Sequence, residues 1–541
     1  MKNLFLALLS GLLLAVAWPT YGWPGLLFIG FLPLLFATRA ISLSQKRKKG
    51  WNVFGLSYLV FFVFNIITTY WLYYSTAFGM WFAVLANSLL MALVWQLYYW
   101  VSKKLKPLPS LVFLASLWML FEWLHLQWDF SWPWLNLGNG FSEHTGWIQW
   151  YEYTGTFGGT LWVWIGNIVL YFSLSRYFLI RNRKKLFVNL IGFLGVIAMP
   201  ILISQIILYN YIEKKDPVEV VLLQPNIDPY SEKYNITNER TANLLFADAK
   251  EALDPETSFL LAPETVLAQG YGSDLRVFSG SRERNKAEAF LKDYPNLNYI
   301  FGIQFYRAYT KKADIIPTSN FVGNDRAGNP VWMDFFNSAV MLNRTDSTQI
   351  YHKGKLVVGV ENFPYQSLLK PLLGDIMIDL GGTVAMKTTQ PERSVFTGID
   401  GTKAAPIICY ESIYGDYVTG YVKNGADFLA VITNDAWWGD TQGHKQLLSY
   451  ARLRAIENRR DVARSANTGI SAFIDQTGHI KKELGYGKEG TLKGIVNKNK
   501  TMTFYSRYGD YIPKIAVLPA SFLFAFSFFR KKRKQHIFSE T

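Results

Sequence analysis

The chain holds one cysteine, Cys409, in 541 residues. A single thiol cannot close an intramolecular disulfide, so the fold is not stapled that way. Nor can it build a cysteine-rich zinc or iron–sulfur site. Charge is scarce too: 18% of residues are charged, against roughly 25% in soluble domains. No internal repeat and no low-complexity segment is present, and no metal or organic cofactor signature, so none is expected. Apolar residues are abundant instead, at half the chain with 16% aromatic. That balance implies a membrane protein with a polar part attached.

Crossing a bilayer core takes about 20 helical residues. Apolar stretches of suitable length run over 4–18, 24–40, 51–73, 79–101, 108–126, 160–180, 186–208 and 513–529. The first two are short and close together, which suits a helical hairpin or half-spans. Met1-Lys2 and the run behind it resemble a cleaved signal peptide, but no A-x-A-like site follows, which favours a retained span. Basic clusters occur at Lys46-Arg47-Lys48-Lys49, Lys103-Lys104-Lys106, Arg181-Arg183-Lys184-Lys185 and Arg530-Lys531-Lys532-Arg533-Lys534. Each follows an even-numbered span. The positive-inside rule then places both termini and these loops in the cytoplasm. It also accounts for much of the +15 formal charge without nucleic acid. The same parity places residues 127–159 and 209–512 outside the cytoplasm. The first of these loops carries Trp128, Trp132, Trp134, Trp147 and Trp150. It suits a membrane surface or an ordinary aromatic belt. Glu122 is a rare charge inside a span, a position that marks a pathway or an interhelical pair.

Composition turns polar after about residue 212. The expected divisions are transmembrane helices over 1–211, a catalytic domain over 212–512, and a last span with a basic tail over 513–541. Short apolar runs at 218–226, 258–264, 298–305, 337–342, 404–409, 427–434 and 470–475 suit buried strands. Residues 238–253 and 444–466 space their apolar residues as helices do. Strands alternating with helices indicate an α/β domain.

Potentially reactive groups end two of these strands: Glu264 after SFLLAP, and Cys409 with Glu411 in PIICYE. Between them, IYHKGKL carries Lys353. Sites form beyond the carboxyl ends of strands in open α/β sheets. A thiolate is the nucleophile, and a nearby cation lowers the thiol pKa. A carboxylate can take the thiol proton and return it. An ammonium and the amide after the nucleophile, that of Tyr410, can hold an oxyanion. Singly, each residue has an ordinary reading: a buried hydrophobe, a solvated carboxylate, a surface charge. Their order, spacing and flanks together point further.

Glu, Lys and Cys in that order, in APET, YHKGKL and CYES, with ITNDAWWGD after the cysteine, resemble the nitrilase superfamily. Set between seven N-terminal spans and one C-terminal span, they resemble its membrane-embedded branch, the bacterial apolipoprotein N-acyltransferases. The resemblance implies an α-β-β-α sandwich outside the cytoplasm, in the inner membrane and facing the periplasm. It implies Glu264 as general base, Lys353 as catalytic lysine and Cys409 as nucleophile. Glu361, Tyr410 and Glu411 support them, with Trp437 and Trp438 beside the site for substrate. Two departures stand out: Ala262 where the family has tryptophan, and KLVVGVE where its loop has proline and phenylalanine. The implied reaction moves a fatty acyl chain from a phospholipid to the N-terminal amine of a diacylglyceryl-modified apolipoprotein, through a Cys409 thioester. Partners would be those two substrates and membrane lipids. Segment 361–380 has the composition of a lid or of simple packing. The rival readings are a membrane-anchored nitrilase-type amidase or hydrolase, a non-catalytic lipid-binding scaffold, and a transporter.

Overall fold

The computed structural model describes residues 1–531 except 46, 346, 363 and 366–385. The chain forms two compact units. One comprises Met1–Tyr73, Gly79–Tyr211 and the chain from Tyr508; the other comprises Tyr74–Phe78 and Ile212–Arg507.

In the first unit, seven helices among the described residues are long and apolar enough to cross a membrane: Pro24–Leu43, Lys49–Tyr74, Ala77–Ser102, Pro107–His125, Thr156–Ile180, Arg183–Asn210 and Tyr511–Phe528. The first expected span is the short helix Lys2–Val16, with 15 residues. At 1.5 Å per residue it is about 22 Å long, below the roughly 30 Å of a hydrocarbon core. Of the basic clusters, Lys46 and Lys532-Arg533-Lys534 lie outside the described residues. Glu122 turns out to be a helix-pairing group. Its carboxylate accepts from Trp118 Nε1 at 3.0 Å, the Leu137 amide at 2.9 Å and Thr160 Oγ1 at 2.8 Å. The tryptophan-rich loop is partly drawn inward: Trp134 is buried, its ring 4.7 Å from that of Trp71.

The second unit stacks two sheets between helices. Every strand expected from the sequence forms, because each apolar run is buried along its length. Pro217–Gln224, Phe259–Leu261 and Asn298–Tyr309 lie side by side in parallel, and Pro330–Leu342 pairs antiparallel to the last. In the second sheet, Lys403–Ile408, Phe428–Thr433 and Val462–Ala466 run parallel. Side chains from the two sheets interlock: Phe259 meets Phe428 at 5.3 Å, and Ser465 Oγ donates to the Leu223 carbonyl at 2.8 Å. Helices Asn238–Ala252 and Arg282–Leu291 cover the first sheet, burying Leu245, Phe246 and Phe290 against its strands. Helices Gly415–Lys423 and Gln442–Asn458 belong to the second. The result is the expected helix–sheet–sheet–helix sandwich.

One expected element is divided. The helical pattern over 444–466 stops at Asn458. Arg459 is left-handed, with φ +49°, and its amide caps back onto the Ala455 carbonyl. Val462–Ala466 then forms a strand. Apolar spacing carries on across the break, so periodicity alone misses it. A strand over Gly490–Asn497, pairing antiparallel with Pro217–Gln224, also escaped the sequence reading. Its two glycines and Lys493, in GTLKGIVN, interrupt the apolar run that would mark a buried strand.

Candidate active site

Three chain segments converge on one buried cluster. Glu264 follows the strand Phe259–Leu261, Lys353 follows Gln349–His352, and Cys409 follows Lys403–Ile408. All three are buried, as is Glu361. Lys353 Nζ lies 2.9 Å from Glu264 Oε1 and 2.9 Å from Glu361 Oε2. Asn337, on the long strand Pro330–Leu342, ties the same carboxylates together: its Nδ2 donates to Glu264 at 2.7 Å and to Glu361 at 2.8 Å. The Asn434 amide donates to Glu264 Oε2 at 3.2 Å, and the Val357 amide to Glu361 Oε2 at 3.0 Å. Glu361 thus joins the cluster of Glu264 and Lys353, although its loop departs from the family's form. Asn337 was not foreseen; an asparagine within an apolar strand is the signal that marks it. Lys387, 3.8 Å from Glu361, and Lys233 were also missed, lying far away in sequence.

The approach of Glu264 depends on a glycine. A Cβ on Gly302 would lie 2.3 Å from the Thr265 amide nitrogen and 2.6 Å from Glu264 Cα. Only a residue without a side chain lets the central strand pass this close.

Cys409 has φ +50°, a conformation that costs a non-glycine residue of order 1 kcal/mol or more. Its neighbours hold it there. Ser412 Oγ donates to the Cys409 carbonyl at 2.7 Å, and the Ile408 amide donates to Glu411 Oε2 at 2.8 Å. The sharp turn lifts the sulfur off the strand end and starts the short helix Cys409–Ile413. Glu411 is fully buried and accepts from the Gly354 amide at 2.7 Å, Tyr351 Oη at 2.5 Å and Tyr421 Oη at 3.2 Å. It is a brace and does not face outward.

The electrostatics assign protonation states. Burial, then the Glu264 charge, pushes the Cys409 thiol well above its ordinary range, and Lys353 only partly offsets this. The cysteine rests as a thiol and needs a base. Burial opposes the charge on Lys353, but Glu264 and Glu361 together outweigh it and hold the ammonium well above its usual value. Burial likewise pushes Glu361 up, and Lys353 and Lys387 override it, keeping that carboxylate ionised. A neutral thiol, a fixed ammonium and carboxylates hydrogen-bonded to it form a nucleophile–acid–base set.

Trp438 is buried in the turn Asp435–Trp438, and Trp437 is half-buried. The Trp437 ring lies 5.1 Å from that of Tyr230. Of the segment 361–380, residues 363 and 366–380 lie outside the described residues. Among the described residues no cluster of metal-binding side chains occurs.

Residues 10–169 match the family model described as the apolipoprotein N-acyltransferase N-terminal domain, and residues 302–502 match that of carbon-nitrogen hydrolase. Apolipoprotein N-acyltransferase of Chlorobaculum tepidum is 28% identical over 98% of this chain and 97% of its own. The chain belongs to the apolipoprotein N-acyltransferase family. Its similarity to the Geobacter metallireducens member is 26% over 98% of this chain and 96% of that one. With the Thermotoga maritima member it is 25%, over 99% and 96%. Among solved structures, an amidase of the nitrilase superfamily from Nesterenkonia aligns at 14% identity with a TM-score of 0.36, covering 57% of this chain and 99% of that one. Membership also explains why one chain joins seven membrane-length helices to a hydrolase-type sandwich.

Proposed function

We propose that this chain is an apolipoprotein N-acyltransferase that works by two half-reactions through Cys409. The observation that carries the reading is a buried thiol on a strained turn, grouped with Glu264 and Lys353. In the first half-reaction Glu264 takes the thiol proton as sulfur attacks a phospholipid ester carbonyl. Lys353, with the Tyr410 amide, stabilises the oxyanion. The C–O bond then breaks, and the leaving glycerol oxygen takes the proton from Glu264. A lysophospholipid departs and a thioester remains. In the second, the N-terminal amine of a diacylglyceryl-modified apolipoprotein attacks the thioester. Glu264 takes the amine proton, the C–S bond breaks, and the thiolate recovers a proton from Glu264.

Glu361 and Glu411 position the lysine and the nucleophile, and Trp437 and Trp438 line the substrate side. The domain over 212–512 faces the periplasm, with both termini in the cytoplasm and the chain in the bacterial inner membrane. Both substrates are lipids of that membrane. Extracting an acyl chain into water costs about 0.8 kcal/mol per CH₂, so a membrane-anchored site suits them.

The test supplies purified protein with phospholipid and a diacylglyceryl-cysteine peptide. Mass gain of one acyl chain on the peptide, with equal lysophospholipid release, supports transfer. Lysophospholipid and free fatty acid without peptide modification would identify a hydrolase instead.

A further inference from the structure

Lys233 is buried, with 6% of its surface exposed, yet among the described residues no carboxylate lies within ion-pair distance of its ammonium. Its Nζ donates to Thr265 Oγ1 at 2.5 Å, on the residue that follows Glu264. It also lies 5.4 Å from the centre of the Trp437 ring and 5.6 Å from that of Tyr234. A buried ammonium ordinarily has a carboxylate partner. The absence of one here calls for a reason.

The charges around it supply the reason. The groups whose charge Lys233 feels are Glu264, Lys387, Glu361 and Cys409, and Lys353 bridges the two carboxylates. Asp435, which also faces Cys409, is cancelled by Arg464 at 2.6 Å. Glu411 faces Lys355 as well as Lys353, so its charge is offset by a further lysine. Three lysines therefore meet two carboxylates and a neutral thiol, one positive charge in excess. Moving the thiol proton to Glu264 leaves that sum unchanged, because the proton stays inside the site. A tetrahedral intermediate leaves it unchanged for the same reason. Only an anion arriving from outside balances it.

We propose that Lys233 binds the phosphate diester of the phospholipid acyl donor and thereby selects phosphate-bearing esters over neutral ones. The inference rests on the acyl-transfer reading and deepens it. A phosphate diester carries the single negative charge the site lacks. It lies a few bonds from the ester under attack and is common to phospholipids whatever their headgroup. The Trp437 and Tyr234 rings beside the ammonium offer apolar cover to the glycerol part. Burial pushes the Lys233 pKa down to about 8, with Lys387 adding to it and Glu264, Glu361 and Cys409 opposing. The ammonium is thus charged at neutral pH but poorly solvated, the condition in which an anion binds it most strongly.

The experiment measures thioester formation on Cys409 in the full-length protein in detergent, from phosphatidylglycerol and from the phosphate-free ester 4-nitrophenyl palmitate. Adducts from both donors on the wild-type protein establish the acyl-transfer chemistry independently of Lys233; no adduct from either overturns that reading itself. For Lys233→Met, the ratio of kcat/KM for phosphatidylglycerol to that for the neutral ester is expected to fall by about tenfold or more, the worth of one charge-assisted hydrogen bond. Lys233→Arg is expected to keep the ratio within about threefold of wild type. An unchanged ratio in Lys233→Met overturns the proposal. Should that variant fail to fold, the wild-type pH profile decides. kcat/KM for phosphatidylglycerol then falls above pH about 8, as the ammonium loses its proton, and the neutral ester shows no such limb. Identical profiles for the two donors overturn the proposal.

Discussion

Glu411 Oε1 accepts the amide of Gly354 at 2.7 Å, so the second residue after the nucleophile holds the first residue after the lysine. One buried carboxylate thus ties the segment of Cys409 to that of Lys353, which lie far apart in sequence. Two of its other partners, the Ile408 amide and the Tyr351 hydroxyl, fix the strand end that carries Cys409. Glu411→Gln keeps the shape but turns an amide NH₂ toward these donors. Leaving buried donors unpaired costs about 1–3 kcal/mol. The expected outcome is a lower melting temperature together with a fall in acyl transfer of at least about tenfold. Thermal unfolding and transfer assays on the same preparation check it; wild-type values in both contradict the bracing role.

Gly302→Ala brings a methyl group into the backbone of Pro263 to Thr265, within 2.3–2.6 Å of its atoms. Backbone cannot yield as a flexible side chain does, so Glu264 must shift. Overpacking of this kind costs about 1–3 kcal/mol, and a 1 Å displacement of a catalytic group costs about a hundredfold in rate. The expected result is a folded protein with strongly reduced kcat. Full activity in Gly302→Ala would show that the position of Glu264 is not critical.

Glu264→Gln separates two effects of one carboxylate. After burial, its negative charge is the next influence raising the Cys409 thiol. Removing it lowers the thiol pKa, so more thiolate is present at pH 8 and iodoacetamide labels Cys409 faster than in wild type. Acyl transfer nevertheless falls by about 10²-fold or more, because no base remains to carry the proton. Slower labelling with preserved transfer would contradict both assignments.

Acid sensitivity follows from Glu361. Lys353 and Lys387 hold its folded pKa well below the ordinary 4.5, against the opposing effect of burial. A carboxylate depressed in the folded state contributes stability above its unfolded pKa and loses that contribution as pH falls through the folded value. Wild type is therefore expected to lose more thermal stability than Glu361→Gln as pH drops below about 4.5. Parallel melting curves for the two proteins across that range would contradict it.

Much of this architecture was legible in the residues. The strands around Leu260, Ile300, Ile407 and Val431 announce themselves as short apolar runs because both faces are buried. Glu264, Lys353 and Cys409 stand out through flanking motifs, and the structure brings all three together. The helix break at Arg459 was hidden, because a left-handed cap on a non-glycine residue leaves no mark in periodicity. Asn337, Lys233 and Lys387 were hidden for another reason. Asn337 and Lys387 gain their place from three-dimensional proximity to Glu264 and Glu361, and Lys233 from its bond to Thr265; apart from the setting of Asn337 in an apolar strand, nothing local distinguishes them from other polar residues. Glu411 is singled out by its place after Cys409, but its burial, and hence its bracing contacts, emerge only from the fold.

The central claim is a covalent acyl intermediate on the chain's one thiol. Intact-protein mass spectrometry after incubation with phospholipid, without an amine acceptor, tests it most directly. The account predicts one added acyl mass on wild type, removable by hydroxylamine, and none on Cys409→Ala. Absence of the adduct from wild type, with no lysophospholipid released, would contradict it.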